Sequence, residues 1–171
     1  KVKISVPHWN VKFVTDAKTT TTPVENNKPV DKPAPDPTKD GYIFAGWYTK
    51  DESDKWAENQ FNFNTPIKND MTLYARWTVG GDCGAEGNNL TWTLDDSGTL
   101  TISGTGAMKE YEDYTQRPWV ARKNDIKKVV IGKEVTTIGK HAFEDCSQLS
   151  TVELPQNGKL QKIGFNAFGY L

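Results

Sequence analysis

The sequence has few of the residues that carry enzyme chemistry near neutral pH. Its 171 residues include two histidines, His8 and His141, and two cysteines, Cys83 and Cys146. Histidine is the side chain that titrates near neutral pH without perturbation, so two of them restrict acid–base chemistry severely. No zinc-ligand spacing occurs, and Gly104-Thr105-Gly106 lacks the further glycine and lysine of a phosphate-binding loop. We therefore predict no catalytic residue, no metal ligand and no cofactor.

Charge of one sign and long apolar runs are also missing. There are 21 basic and 22 acidic residues, a formal net charge of −1, so neither a nucleic acid nor an anionic membrane is the predicted partner. The absence of 18 consecutive apolar residues predicts no membrane insertion. Residues 1–6 lack the pattern of a signal peptide, and we expect that a signal was removed or that the sequence starts inside a longer chain.

What the sequence does contain is an internal repeat near its end. One apolar order occurs twice over residues 126–171. The first copy is Ile126, Val129, Ile131, Val135, Ile138, Gly139, Ala142, Phe143, Cys146, and the second is Leu149, Val152, Leu154, Leu160, Ile163, Gly164, Ala167, Phe168, Leu171. A period of 20 to 29 residues is typical of a leucine-rich solenoid, in which each unit buries its apolar face against the next.

The residues at the positions of this repeat also resemble those of one particular class of leucine-rich repeat. The segments "VTTIGKHAFEDCSQLSTVELP" and "LQKIGFNAF" resemble the BspA-type leucine-rich repeat of bacterial surface proteins. The resemblance implies two repeats, 126–148 and 149–171, in a solenoid fragment that exposes apolar surface at its end. Cys146 occupies an apolar position of the repeat. We expect Cys83 and Cys146 to be small buried thiols, although one disulfide between them is the open alternative.

The first half is rich in proline and aromatic residues. Four prolines between Lys28 and Asp40 make a central strand there improbable. Residues 10–15, 41–48, 61–63 and 72–77 alternate apolar with polar residues or concentrate aromatic ones and predict strands, and Thr19-Thr20-Thr21-Thr22-Pro23 predicts a polar loop or an edge strand. The predicted core comprises Phe13, Phe44, Trp47, Phe63, Leu73 and Trp77.

The segments "DGYIFAGWYTKD" and "FNFNTPIKNDMTLYARW" are similar to the Listeria/Bacteroides repeat, the β-grasp-like B-repeat module of internalin-type surface proteins. The resemblance covers residues 11–77 and implies a spacer or binding unit without catalytic residues. Residues 78–82 have the composition of a flexible linker. We therefore predict a first domain over residues 1–79 and a second over residues 83–171.

The start of the second domain predicts a cap for the solenoid. Residues 90–94 and 99–103 alternate apolar with hydroxyl side chains on either side of the turn Asp95-Asp96-Ser97-Gly98, which predicts a β-hairpin. Pro118 is suited to the first position of a short helix that ends near Asn124. The stretch from Cys83, "CGAEGNNLTWTLDDSGTLTISGTGAM", resembles the flank that precedes such repeats, and we expect it to cover the first repeat's apolar face.

Candidate ligand-binding residues are few. We expect Trp47, Trp77, Trp92 and Trp119 in cores, and Trp9, Trp56, Tyr111 and Tyr114 exposed, where Trp56 could stack on a sugar. The outward positions of the repeat strands are Lys128, Val130, Thr151 and Glu153, which would serve a partner or form the solvated side of a sheet. His141 is expected at the surface, and Asp51, Glu52, Asp54 and Glu58 fit a solvated loop better than a calcium site.

These patterns predict a mostly β, α+β chain: a small β-grasp-like domain, then a leucine-rich-repeat solenoid fragment capped by a β-hairpin. The resemblances imply a secreted or cell-surface bacterial protein, predicted to be a monomer, that binds an extracellular protein or glycan of a host or neighbouring cell through a non-catalytic surface. Two alternatives remain at this point. The domains could be accessory modules of a larger surface enzyme, or the aromatic residues could bind carbohydrate.

Overall fold

The structure is a computed structural model that describes residues 2–171, and its regular secondary structure there consists of strands and one short 3-10 helix. Its elements in order are β1 (His8–Val14), β2 (Thr19–Glu25), β3 (Tyr42–Tyr48), β4 (Met71–Gly84), β5 (Gly87–Leu94), β6 (Thr99–Gly104), β7 (Gly106–Ala107), a 3-10 helix (Val120–Asp125), β8 (Lys128–Ile131), β9 (Val135–Ile138), β10 (Thr151–Glu153) and β11 (Lys162–Ile163). The chain divides into two compact units, residues 1–40 with 44–77 and residues 41–43 with 78–171.

In the first unit, a hairpin and a parallel strand form the sheet. β1 pairs antiparallel with β2 and parallel with the start of β4, and β3 pairs with β4. The fully buried side chains are Val11, Phe13, Val24, Val30, Trp47, Ile67, Leu73 and Ala75. Phe44, Phe63 and Trp77 are half-buried and pack against them. The predicted core residues are therefore confirmed, and the predicted list lacked Val11, Val24, Val30, Ile67 and Ala75.

Two predictions for this part of the chain were wrong. The predicted strand 61–63 is a turn, because the Asn62 side chain accepts the Asn64 N–H at 2.9 Å and its carbonyl accepts the Thr65 N–H at 3.0 Å. The predicted flexible linker 78–82 lies within β4. Its Gly80 allows close approach to β5, since a Cβ there would lie 2.3 Å from the Trp92 carbonyl oxygen.

The second unit contains the predicted hairpin and solenoid. β5 and β6 pair antiparallel around the Asp95 turn, and the end of β4 pairs antiparallel with β5. β8 and β10 pair parallel with Lys128 opposite Thr151, and β9 and β11 pair parallel with Ile138 opposite Ile163. The two copies of the repeat are therefore successive rungs of one solenoid, and a single apolar core lies between their two ladders.

The hairpin cap itself supplies an additional rung. β6 pairs parallel with β8, with Leu100 opposite Val129, and β7 pairs parallel with β9. Trp119 stacks on Phe143 with ring centroids 5.3 Å apart, and Phe143 stacks on Phe168 at 5.4 Å. The predicted stacking of Phe143 on Phe168 is confirmed. We call residues 99–119 the starting rung, because they repeat the strand, second strand and aromatic residue of the units that follow.

Backbone geometry explains the Ile-Gly-x-x-Ala-Phe pattern. A Cβ at Gly139 would lie 2.0 Å from the Lys109 carbonyl oxygen, and one at Gly164 would lie 2.5 Å from the Lys140 nitrogen. Glycine therefore lets successive rungs approach each other. Two residues after each glycine the chain adopts a left-handed conformation, with φ of 56° at His141 and 50° at Asn166.

Side chains of the cap also replace main-chain groups of a rung. The N–H groups of His141, Phe143 and Asp145 donate to second-repeat carbonyls at 3.0, 2.7 and 2.9 Å. On the opposite side, Arg117 Nη1 donates to the His141 carbonyl at 3.0 Å, and Trp119 Nε1 donates to the Ala142 carbonyl at 2.8 Å. Ala142 is the equivalent of Ala167, so Trp119 takes the place of the main-chain donor that a preceding rung would supply, and Arg117 adds a bond to the neighbouring His141 carbonyl.

Two details of the second unit differ from expectation. The predicted helix from Pro118 is a 3-10 helix from Val120, and Trp119, which packs in the core, precedes it. Tyr111, expected to be exposed, is only 2% exposed and packs on Trp119 with ring centroids 6.1 Å apart. As expected, the second repeat exposes apolar surface, at Val152, Leu154, Ile163, Phe165, Tyr170 and Leu171.

Candidate binding surfaces

The first candidate surface is the outer face of the parallel ladder in the second unit. Leu100, Ile102, Val129 and Ile131 are buried, so the alternate residues of β6 and β8 point away from the core. Register aligns these outward residues, and those of β10, in two rows across the three strands. We call this surface the strand face; its rows are Thr99, Lys128, Thr151 and Thr101, Val130, Glu153.

The strand face brings together all four sequence-predicted strand residues. Lys128 and Val130 are half-buried, and Thr151 and Glu153 are exposed. Lys128 Nζ lies 2.6 Å from Glu153 Oε1, so the two charges compensate each other. Because both side chains are substantially solvated, this pair adds about 0–1 kcal/mol to stability. The face is therefore almost neutral and rich in hydroxyl groups.

Sequence reasoning missed one third of this face. Thr99 and Thr101 were assigned to the hairpin cap, whereas the structure places them in the same rows as Lys128 and Val130. The hairpin extends the hydroxyl surface further, because Thr93 lies opposite Thr101 in the β5–β6 register. The alternation of threonine with apolar residues in residues 99–103 was the available signal, but it indicated a strand without indicating a parallel neighbour.

The second candidate surface surrounds Trp56 in the first unit. Lys50 and Trp56 form an isolated antiparallel bridge that closes a short loop. The Trp56 ring meets Tyr48 and Tyr74 edge to face, each with centroids 6.3 Å apart. Arg76 lies with Cζ 5.1 Å from the Tyr48 ring and 5.6 Å from the Trp56 ring. Tyr74 and Arg76 occupy alternate positions of β4 to the buried Leu73 and Ala75, which places them on the outer face of the sheet.

Cations as well as rings contact Trp56. Lys50 Nζ lies 4.4 Å from the centre of the Trp56 ring and 4.9 Å from that of Tyr74, and it also bonds Asp54 Oδ1 at 2.9 Å. Trp56 is half-buried, and its ring already receives two cations and two aromatic contacts. These contacts fasten the loop to the sheet.

The remaining candidate groups have structural roles. The Asp51 carboxylate accepts the N–H groups of Ser53 at 2.9 Å and Lys55 at 3.0 Å, which shapes the loop before Trp56. His141, expected at the surface, is instead half-buried, and its Nδ1 hydrogen-bonds the buried Glu144 carboxylate. Within residues 2–171 there is no group of three His, Cys, Asp or Glu side chains placed to hold a metal ion.

Both cysteines are buried free thiols, as predicted. Burial raises the pKa of Cys83 to about 12, and the charge of Asp82 adds to this effect. Burial also raises the pKa of Cys146. Because the thiolate is the reactive form, neither residue has the character of a nucleophile in the folded chain.

None of the helices among residues 2–171 has the length and apolar character needed to cross a membrane.

Comparisons with known proteins find relatives of both halves. Residues 9–76 match the family described as the Listeria-Bacteroides repeat domain, and residues 121–171 match the family described as the BspA type leucine rich repeat region (6 copies). Internalin H of Listeria monocytogenes serovar 1/2a is 37% identical over 90 residues, which are 52% of this chain and 14% of Internalin H. A crystal structure of a leucine-rich repeat protein from Eubacterium ventriosum shares 30% identity with a TM-score of 0.47 over 53% of this chain and 23% of that one.

Proposed function

We propose that this chain, which joins a Listeria-Bacteroides repeat domain to a BspA-type leucine-rich repeat region, belongs to a secreted or cell-surface protein that recognises an extracellular partner. The matched segment spans about a seventh of Internalin H, so this proposal concerns what the two modules do and leaves the rest of such a protein aside. The partner is a protein or glycan of a host or neighbouring cell, and binding is non-covalent. No family with a catalytic activity is among the matches.

The observation that supports this proposal most directly is the strand face. Three parallel strands present two aligned rows of side chains, and the rigid apolar core behind them fixes their positions. Binding to such a face costs little side-chain entropy, because its threonine and valine side chains have few rotamers to restrict. The compensated Lys128–Glu153 pair leaves the face neutral, which favours a partner surface without strong charge.

A single charge in the middle of the strand face tests this proposal. Val130 lies at the centre of its row, and Val130→Glu would place a carboxylate there next to Glu153. The control is Thr136→Glu, which adds the same charge at a half-buried site on the other ladder. Both variants and the parent chain would be applied to arrays of purified extracellular proteins and of glycans. Loss of a bound spot with Val130→Glu alone supports the strand face, and equal retention of every spot by both variants contradicts it.

The first unit is proposed to hold the solenoid away from the cell envelope. We assign it a variant β-grasp arrangement, since its sheet combines a β1–β2 hairpin with a parallel β4 and an adjacent β3. Residues 28–40 occupy the place between β2 and β3 where a β-grasp fold has its helix. If this unit is a spacer, Trp56→Ala should leave partner binding unchanged. If Trp56 binds carbohydrate, the same substitution should abolish signals on the glycan array.

A further inference from the structure

The hairpin of the first unit leaves one edge of its sheet open. β2 pairs with β1, and no other strand within residues 2–171 pairs with its second edge. Residues Thr19 to Pro23 of this strand are all exposed. Sheet edges in soluble proteins are usually protected by charged residues, bulges or covering segments, because an open edge pairs with other extended chains. Here five consecutive residues of the edge carry no charge.

The direction of the backbone groups on β2 follows from two hydrogen bonds. The Asn10 N–H donates to Asp70 Oδ1 at 2.7 Å, so it points away from Pro23, its partner on β2. At the hairpin turn the Thr15 N–H donates to the Lys18 carbonyl at 2.9 Å, so Thr15 and Lys18 are a hydrogen-bonded pair. In an antiparallel pair, hydrogen-bonded and non-hydrogen-bonded positions alternate. Thr19, Thr21 and Pro23 therefore direct their main-chain groups toward the open edge.

A groove lies beside this edge, on the face of the sheet that carries the core. It has a volume of about 530 Å³, and Phe13, Thr20 and Trp47 line it together with Pro33, Pro35 and Pro37. Pockets of about 300–1,000 Å³ with apolar walls and a few polar groups are typical binding sites. Thr20 lies opposite Phe13 in the β1–β2 register, so the groove reaches the open strand itself.

One polar group of the groove has no partner. The indole Nε1 of Trp47 is buried without a hydrogen-bond acceptor, and the residue is 2% exposed. Trp77 and Trp92 also have unpartnered indole nitrogens, but neither residue lines this groove. A buried donor without an acceptor is unfavourable, which sets Trp47 apart from the other residues that line the groove.

Charges around the groove are paired except for one. Asp36 bonds Lys32 at 2.7 Å, and Asp16 forms an ion pair with Lys39. Lys18 lines the groove and has no ion-pair partner among residues 2–171. Lys18 is an even number of residues away from Thr20 and Val24, so its side chain lies on the same face of the sheet as theirs, the face that carries the core. An acidic group of a ligand would complement it.

We propose that the open edge of β2 and the adjoining groove bind an extended peptide segment of a partner protein. The peptide adds as a strand to β2 and bonds the outward main-chain groups of Thr19 and Thr21. It places a large apolar side chain in the groove and an acidic side chain opposite Lys18. Strand addition of this kind gains affinity from the backbone and specificity from alternate side chains. This site is in the first unit and is independent of the strand face.

The probe is the synthetic peptide acetyl-Thr-Tyr-Thr-Val-Thr-Glu-amide, whose tyrosine, valine and glutamate share one face when extended. Its control has serine in place of tyrosine and valine. Binding would be followed by amide NMR titration of the whole chain. Thr21→Pro removes one N–H group that points to the open edge. Pro23, whose main chain points the same way, shows that β2 accepts proline at such a position. Thr21→Val keeps the N–H and is the matched variant. Ala17→Trp, at an exposed position that lines the groove, would fill the groove without disturbing the core.

We expect saturable shifts at residues 19–22 with a Kd below about 1 mM, and no saturation with the serine peptide. Thr21→Val should bind within about twofold of the parent chain, whereas Thr21→Pro and Ala17→Trp should each weaken binding about tenfold. The proposal is overturned if the parent chain shows no saturable shifts, or if Thr21→Pro and Ala17→Trp both bind like the parent. A dimer of the parent chain in sedimentation that Thr21→Pro dissolves would also overturn it, because the edge would then serve a second copy.

Discussion

Trp119 offers the sharpest test of the starting rung. Its ring is fully buried between Trp92, Tyr111 and Phe143, and its indole N–H donates to the Ala142 carbonyl at 2.8 Å. Truncation of a buried Trp to Ala costs about 3–5 kcal/mol of unfolding free energy, to which the unsatisfied carbonyl adds about 1–3 kcal/mol. We therefore expect Trp119→Ala to lower the stability of the second unit by at least about 4 kcal/mol.

A second substitution separates the stacking from the hydrogen bond. Trp119→Phe keeps a ring against Phe143 but removes the N–H, so it should cost about 1–3 kcal/mol. In a double-mutant cycle, Trp119→Ala and Phe143→Ala should couple by about 0.5–1.5 kcal/mol, as expected for a stacked pair. Tyr170→Ala is the control, because Tyr170 is 79% exposed and its loss should change stability by no more than about 0.5 kcal/mol.

The chain provides its own reporters for the assay. Cys83 and Cys146 are the two cysteines of the sequence, and both are buried in the second unit. The extent of thiol labelling as a function of urea therefore measures unfolding of this unit without signal from the first. A cost below about 1 kcal/mol for Trp119→Ala would refute the starting rung, and so would the absence of coupling between Trp119 and Phe143.

Three further predictions concern single groups of the second unit. In the native chain, Cys83 and Cys146 should label at least about a hundredfold more slowly than in urea, because burial raises the pKa of both thiols; fast labelling of either without denaturant would contradict their placement. Asp95→Ala should cost about 1–2 kcal/mol, since this carboxylate caps the hairpin turn. Hydrogen bonds from the turn, chiefly that of the Ser97 hydroxyl, lower the pKa of Asp95. The stabilisation by this carboxylate is therefore present above pH about 4 and is lost as the pH falls through the pKa that Asp95 has in the folded chain. Urea titrations should show the unfolding free energies of the parent and of Asp95→Ala converging in acid. Gly139→Ala should lower the unfolding free energy by about 3 kcal/mol or more, because the new Cβ would lie 2.0 Å from the Lys109 carbonyl oxygen. Gly169→Ala is the control, since a Cβ there meets nothing nearer than 3.4 Å. In the same thiol assay it should change the unfolding free energy by no more than about 0.5 kcal/mol.

The sequence was informative where apolar spacing alone decides the structure. Phe143 and Phe168 recur in the same apolar order, and the structure stacks their rings, because a solenoid places equivalent residues of successive rungs in contact. The Asp95 hairpin was equally readable, since turn residues stand between two alternating strands. The aromatic frame of the first unit, with Phe13 against Trp47 at 5.1 Å, also followed from alternation.

The sequence failed where a local pattern has more than one three-dimensional meaning. Glycines in residues 78–82 resembled a linker, but Gly80 serves close contact between β4 and β5. Phe61 and Phe63 alternate like strand residues, but the Asn62 side chain competes successfully for the backbone and makes a turn. Thr99 and Thr101 looked like one side of a hairpin, whereas their second neighbour, β8, lies almost 30 residues away and leaves no local signal.

The starting rung explains why a divergent segment precedes the repeats. A repeat can satisfy its carbonyls from the N–H groups of the rung before it, but a first rung has no such neighbour. Trp119 solves this problem for Ala142 with a side-chain donor, and Arg117 donates to the neighbouring His141 carbonyl from a position that is only 1% exposed. Burial accordingly lowers the pKa of Arg117, and its Nε and Nη2 lack acceptors. The phenylalanine of the Ile-Gly-x-x-Ala-Phe pattern has no side-chain donor, so the bond to the Ala142 carbonyl requires a different residue, Trp119, at the equivalent position. A cap must therefore depart from the repeat sequence at the residues that contact the first rung while it keeps the aromatic stack and the parallel strands.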